Sequence, residues 1–166
     1  SEIKTYLTSV ENCGSSFDTE NFTPTADAGK NYTIPKATPF VLKGTATDQD
    51  ETEMTYTWSQ MNTDFSAAPP MENAPVGPAF RWLSPSTDPI RYFPNLNTIK
   101  TGATANTWEV LPNVGRSLDF RFTVRDNDPR GGQTAIDETF IAVDENAGPF
   151  QITSQNTNPP LWYGAT

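Results

Sequence analysis

The stretch SLDFRFTVR, residues 117–125, carries the information that decides the fold. Leu118, Phe120, Phe122 and Val124 alternate with Asp119, Arg121, Thr123 and Arg125. Apolar side chains at every second position put one face on a core and the other in water, which describes a half-buried β-strand. The same period recurs on either side. In PFVLKGTAT (39–47), Phe40, Leu42, Gly44 and Ala46 share a face. In MTYTWSQM (54–61), Met54, Tyr56 and Trp58 do so. AIDETFIAV (135–143) reads as a last strand carrying Ile136, Phe140, Ile141 and Val143, and NYTI (31–34) as a first one. FRWL (80–83) and IRYF (90–93) are shorter candidates. The sum is about seven short strands with turn residues between them and no helical pattern inside, an all-β antiparallel sandwich. Leu42, Tyr56, Trp58, Phe120, Phe122 and Val124 are its expected core.

The flanks read differently. Ile3, Tyr6, Leu7 and Val10 fall at the spacing of one helical face, so residues 2–13 predict a short amphipathic helix that needs a surface to dock on. A polar, turn-rich linker follows, and the divisions expected are 1–27 for helix and linker, 28–145 for the sandwich and 146–166 for a second linker and the first strand of a following domain. Two connections inside the sandwich are long, 62–79 and 94–116. Loops beyond about 12–15 residues are uncommon in compact domains and often bind something.

Composition narrows the functions. The chain has 166 residues with 20 acidic and 11 basic side chains, a net charge of −9, so nucleic acid and anionic membrane surfaces are poor partners. Ten Phe, five Tyr and four Trp argue against a disordered chain. Histidine is absent, which removes the usual zinc ligand and every catalytic arrangement built on an imidazole base. Cys13 is the sole cysteine, read as half of a disulfide to an upstream domain or as an inert thiol. No apolar run approaches the 18 or so residues of a membrane span. No leader peptide is expected within the sequence either.

The string ADAGKNYTIPKATPFVLKGTATDQDETEMTYTWSQ, with FRFTVRDND after it, resembles the Ig-like modules of the polycystic-kidney-disease and cadherin-like class. The segments GPAFRWLSPSTDPIRYFPNL, TWEVLPNVGRSLDFRFTVRDN and NAGPFQITSQN are similar to the module that follows the catalytic domain in secreted bacterial reprolysin-like zinc metallopeptidases. The start, IKTYLTSVENCG, resembles the last helix of such a peptidase domain. The resemblance implies an Ig-like sandwich that is a secreted, non-catalytic accessory or spacer module. Its partners would be neighbouring domains of the same polypeptide and a protein or polysaccharide substrate. The peptidase's zinc motif is missing, so no catalytic residue carries over and no zinc is expected. Glu51 and Thr52 replace the Gly and Asp of the class's usual acidic turn.

Two constellations remain. The turns TDQDETE (47–53) and RDNDPRGG (125–132) lie at one end of such a sandwich, near the start of its first strand. Asp27, Asp48, Asp50, Asp126 and Asp128 are therefore candidate Ca²⁺ ligands, since Ca²⁺ takes six to eight oxygens from carboxylates and carbonyls. The competing reading is that Asp simply favours turns and faces water. Paired carboxylates also serve glycoside hydrolysis, but acids on loop ends lack the contrasting environments this needs. Trp82, Tyr92, Phe93 and Trp108 lie in or beside the long connections. The first, second and fourth are the candidate ligand-contact aromatics for a sugar or protein partner, as in an independent adhesin or carbohydrate-binding module. The reading preferred here is that all four cover the sandwich edges and give the loops their own small core.

Overall fold

A computed structural model describes residues 19–50 and 53–151. The expected helix over 2–13, Cys13 and the tail beyond residue 151 lie outside them. In chain order the elements are β1 (Tyr32–Pro35), β2 (Phe40–Lys43), β3 (Thr55–Gln60), β4 (Ile90–Phe93), α1 (Leu96–Lys100), β5 (Ala105–Asn106), β6 (Glu109–Val110), β7 (Arg116–Arg125) and β8 (Thr134–Asp144). One sheet has the order β1-β8-β7-β3; β2 pairs with β4, and β5 with β6.

The fold is all-β, as the alternation predicts, with one correction to its sense. β7 pairs antiparallel with both β3 and β8, but β1 runs parallel to β8, from Tyr32 opposite Ile141 to Pro35 opposite Asp144. Before that, the chain pairs antiparallel with the stretch after β2, through Asp27 and Thr45. The run from Asp27 to Pro35 thus pairs first with the stretch after β2 and then with β8.

Parity decides the core. Phe120 and Phe122 are 1% and 0% exposed, so the register read from SLDFRFTVR holds. Leu42, Trp58 and Val124 are buried as expected, while Tyr56 is half-buried. In β8 the four apolar residues divide by the period of two: Ile141 and Val143 point inward with Thr139, and Ile136 and Phe140 point to solvent. Thr139 is fully buried because its hydroxyl donates to Lys30 O at 2.8 Å. Rings from β2 and β4 meet rings from β7: Phe40 stacks on Phe93 at 4.9 Å between centroids, and Phe93 reaches Phe120 at 4.7 Å. On the other side Trp58 lies 4.8 Å from Phe122.

FRWL does not form a strand; only Phe80 bridges, to Glu109, and its ring joins the core 5.1 Å from Phe93. The second long connection also holds a helical turn, α1, where Asn95 Oδ1 accepts from Thr98 N at 3.1 Å. Asn is a strong N-cap, and five residues are too few to show a periodic face in sequence.

Gly44 marks the tightest contact between the sheets. A Cβ there would fall within 2.7 Å of three carbons of the Phe122 ring. Gly44→Ala should therefore lower stability by about 1–3 kcal/mol through overpacking. In a denaturant titration this would be a lower midpoint with an unchanged slope.

Candidate functional site

Two places concentrate polar chemistry: the turn between β7 and β8, and the long loops. At the turn, Asp126 is fully buried. Its Oδ1 accepts from Gln133 N at 2.8 Å and Asp128 N at 3.3 Å, and its Oδ2 from Asn21 Nδ2 at 2.8 Å. Asn21 also donates to Gly131 O, at 2.9 Å, and Gln133 Nε2 donates to Asn21 O. Asn127, with φ +55°, turns its amide onto Glu53 O at 2.9 Å. The residues around 20–23, read as linker, are thereby fastened to the sheet.

Arg130 extends this clamp. Its guanidinium grips Asp128 from Nε at 3.0 Å to Oδ1 and from an NH₂ nitrogen at 2.6 Å to Oδ2. It also lies 3.4 Å from Asp50 Oδ1 and donates to Glu20 O at 2.9 Å. Asp50 Oδ2 in turn accepts from Phe22 N at 2.7 Å. Burial pushes the Asp126 carboxyl up, but the hydrogen bonds from Asn21, Gln133 and Asp128 outweigh it and hold the group below its ordinary value. The Arg130 bonds lower Asp128 likewise.

Of the five acids read as Ca²⁺ ligands, three share partners around Arg130 and the 20–23 segment, and the other two each accept a bond within their own turn. Asp50, Asp126 and Asp128 meet around Asn21 and Arg130. Asp27 instead caps its own turn, accepting from Gly29 N at 2.8 Å, and Asp48 accepts from Asp50 N at 3.0 Å. As arranged, the three already engage N–H donors and Arg130. The single positive charge of Arg130 lies against both Asp50 and Asp128, and N–H donors reach both oxygens of Asp126. Among the described residues no three acidic or cysteine side chains are grouped as metal ligands.

The long loops are held by charges that face inward. Arg91 and Glu109 are 8% and 1% exposed and pair at 2.9 Å. Arg91 also donates to Trp58 O and Arg81 O, both at 2.6 Å, with its guanidinium carbon 4.6 Å above the Phe93 ring. Glu109 Oε2 accepts from Asn95 N at 2.9 Å, Asn95 Nδ2 at 3.0 Å and Asn106 Nδ2 at 3.2 Å. Burial raises the Glu109 carboxyl, yet the Arg91, Asn95 and Asn106 bonds bring it below its usual value. A second buried arginine, Arg116, reaches out of β7 to the carbonyls of Ala74, at 2.9 Å, and Gly77. Strand alternation hints at one of these groups: Arg91 shares its parity with Phe93, so the face that buries the ring buries the guanidinium too.

The aromatics differ from the preferred expectation. Trp82, Trp108 and Tyr92 are 57%, 46% and 40% exposed, so they do not form the loops' own core. The inward positions belong to Phe80, Phe93 and Leu111, with Arg91 and Glu109 among them. Trp108 is the neighbour of Glu109 in the chain, and anchoring the carboxylate inward turns the indole outward.

Comparison with family models, curated proteins and solved structures finds no match to this chain.

Two outcomes test the energetics. Glu109→Gln leaves the Arg91 charge buried without a partner, and should destabilise the fold by about 3 kcal/mol in chemical denaturation. Because Glu109, Asp126 and Asp128 sit below their ordinary values when folded, their contribution is fully present above the unfolded carboxylate values of about 4. It is lost as the pH falls through that range toward the folded values. The melting temperature should therefore hold from neutral pH down to about pH 5 and drop below it, and Asp126→Asn should flatten the drop.

Proposed function

We propose that this chain is a non-catalytic Ig-like accessory module of a secreted multidomain protein of the reprolysin-like metallopeptidase kind. It would hold neighbouring domains in a fixed relation and help attach substrate. The observation that carries the reading is the clamp on residues 20–23. Asp126, Gln133, Arg130 and Asp50 bind that segment through Asn21, Glu20 and Phe22. A segment leading into a domain is ordinarily a free hinge. Here it is tied at several points, as a part that sets the angle of whatever precedes it requires. The run that pairs with the stretch after β2 and then with β8, together with the ring contact of Phe93 on β4 with Phe120 on β7, supports the Ig-like sandwich as the architecture.

The alternative, an independent adhesin or carbohydrate-binding module, has one observation in its favour, the exposure of Trp82, Tyr92 and Trp108. The discriminating experiment removes residues 19–151 from the full polypeptide and follows hydrolysis of a small soluble peptide and of an insoluble protein. Unchanged turnover of the peptide with a several-fold loss on the insoluble protein is the expected result. Equal loss on both, or no loss on either, would overturn the accessory reading.

A further inference from the structure

The first long connection and Trp108 enclose a groove of about 190 Å³, lined by Ser66, Pro70, Pro78, Phe80, Arg81 and Trp108 among others. Its walls are set by the framework beneath. Gln60 Oε1 accepts from Ala79 N at 2.8 Å and from Phe80 N at 2.9 Å. Arg81 N donates to Trp108 O at 3.1 Å, and Arg91 holds Arg81 O from inside. A groove fixed in this way loses little freedom when filled.

We propose that the groove binds an extended, proline-containing apolar peptide segment that carries one carboxylate. This rests on the attachment part of the function proposed above and names the chemistry attached. Three features select that occupant.

The first is size. Small-molecule sites usually begin near 300 Å³, so this groove suits one or two anchoring side chains of a longer ligand. The second is chemistry. Proline rings pack on exposed aromatic faces, and Trp108, 46% exposed, lines this groove together with Pro70 and Pro78. A pyranose would bring many hydroxyls to a lining whose polar side-chain groups are Ser66, Arg81 and the indole N–H of Trp108, and buried hydroxyls without partners weaken binding.

The third feature is charge. On a chain of net charge −9 the groove lining contains no carboxylate. Its one charged side chain, Arg81, is exposed and belongs to no ion pair among the described residues. The Arg81 charge also bears unfavourably on Arg91 behind it. A single carboxylate on the ligand complements that point, whereas a run of them would meet the repulsion of the whole chain.

The test uses the purified chain and two blocked, labelled peptides, Pro-Leu-Pro-Glu-Pro-Leu-Pro and the same peptide with Lys in place of Glu, read by fluorescence anisotropy. The Glu peptide should bind several-fold tighter than the Lys peptide. Trp108→Ala should weaken binding about 10-fold or more, as removal of a central aromatic anchor does. Arg81→Glu should reverse the preference between the peptides. Both residues are exposed, so an unchanged melting temperature shows that the variants fold.

Binding of neither peptide, binding indifferent to Trp108→Ala, or a preference untouched by Arg81→Glu would overturn the proposal. So would tighter binding of a neutral glucan oligosaccharide that depends on Trp108, or occlusion of the groove by self-association in sedimentation. Such a failure, alongside a retained loss on insoluble protein in the deletion experiment, would sink the groove and leave the accessory reading in place. Failure of the deletion experiment with peptide binding intact would do the reverse.

Discussion

The ion pair of Arg91 with Glu109 is the constraint on which the loop side of the molecule depends. Two charges withdrawn from water are costly, and their attraction offsets that cost best when the remaining hydrogen-bonding positions are filled; of the pair's buried side-chain atoms only Arg91 Nε has no partner among the described residues. Here the requirement recruits the surroundings. Glu109 collects Asn95 and Asn106, and Arg91 collects the carbonyls of Trp58 and Arg81. The segments that supply these partners are the ones a chain of this composition would otherwise leave loose. A connection rich in proline, glycine and asparagine is thus given one geometry by two side chains, without a large apolar core of its own.

How much of this is legible in the sequence differs by element. The strands are, because alternation over ten residues in β7 leaves no other reading, and the burial of Phe120 and Phe122 follows from parity alone. The direction of β1 is not, because four residues show a period and say nothing of which neighbour they pair with. Acid convergence is legible in part: topology brings Asp50, Asp126 and Asp128 to one end, but a turn can satisfy its own aspartate locally, as at Asp27 and Asp48. The partner those acids find was visible as Arg130 in RDNDPRGG. The exposed indoles illustrate the same limit, since which of two adjacent residues turns inward depends on a carboxylate whose partner lies 18 residues away.

The acidic turn also shows how one fold end can use the same residues in two ways. Carboxylates gathered on apposed loops repel and need a positive charge between them. An arginine from the same turn provides it permanently, at a fixed distance and with directional bonds to a backbone carbonyl as well. A joint built so yields to acid through its carboxylates.

The parallel pairing of β1 with β8 has a mechanical consequence. The clamp lies beside the start of β8 at Gln133 and Thr134, and the chain leaves past its far end, where Lys36 N meets Asp144 O at 3.1 Å. The eleven residues of β8 span about 36 Å at roughly 3.3 Å each. A pull applied to the two ends of the module therefore runs along β1 and β8 in opposite senses. The bonds between those strands are loaded side by side in shear and not opened one after another like a zip. A tether anchored through such a pair resists extension with all four of its residue pairs at once.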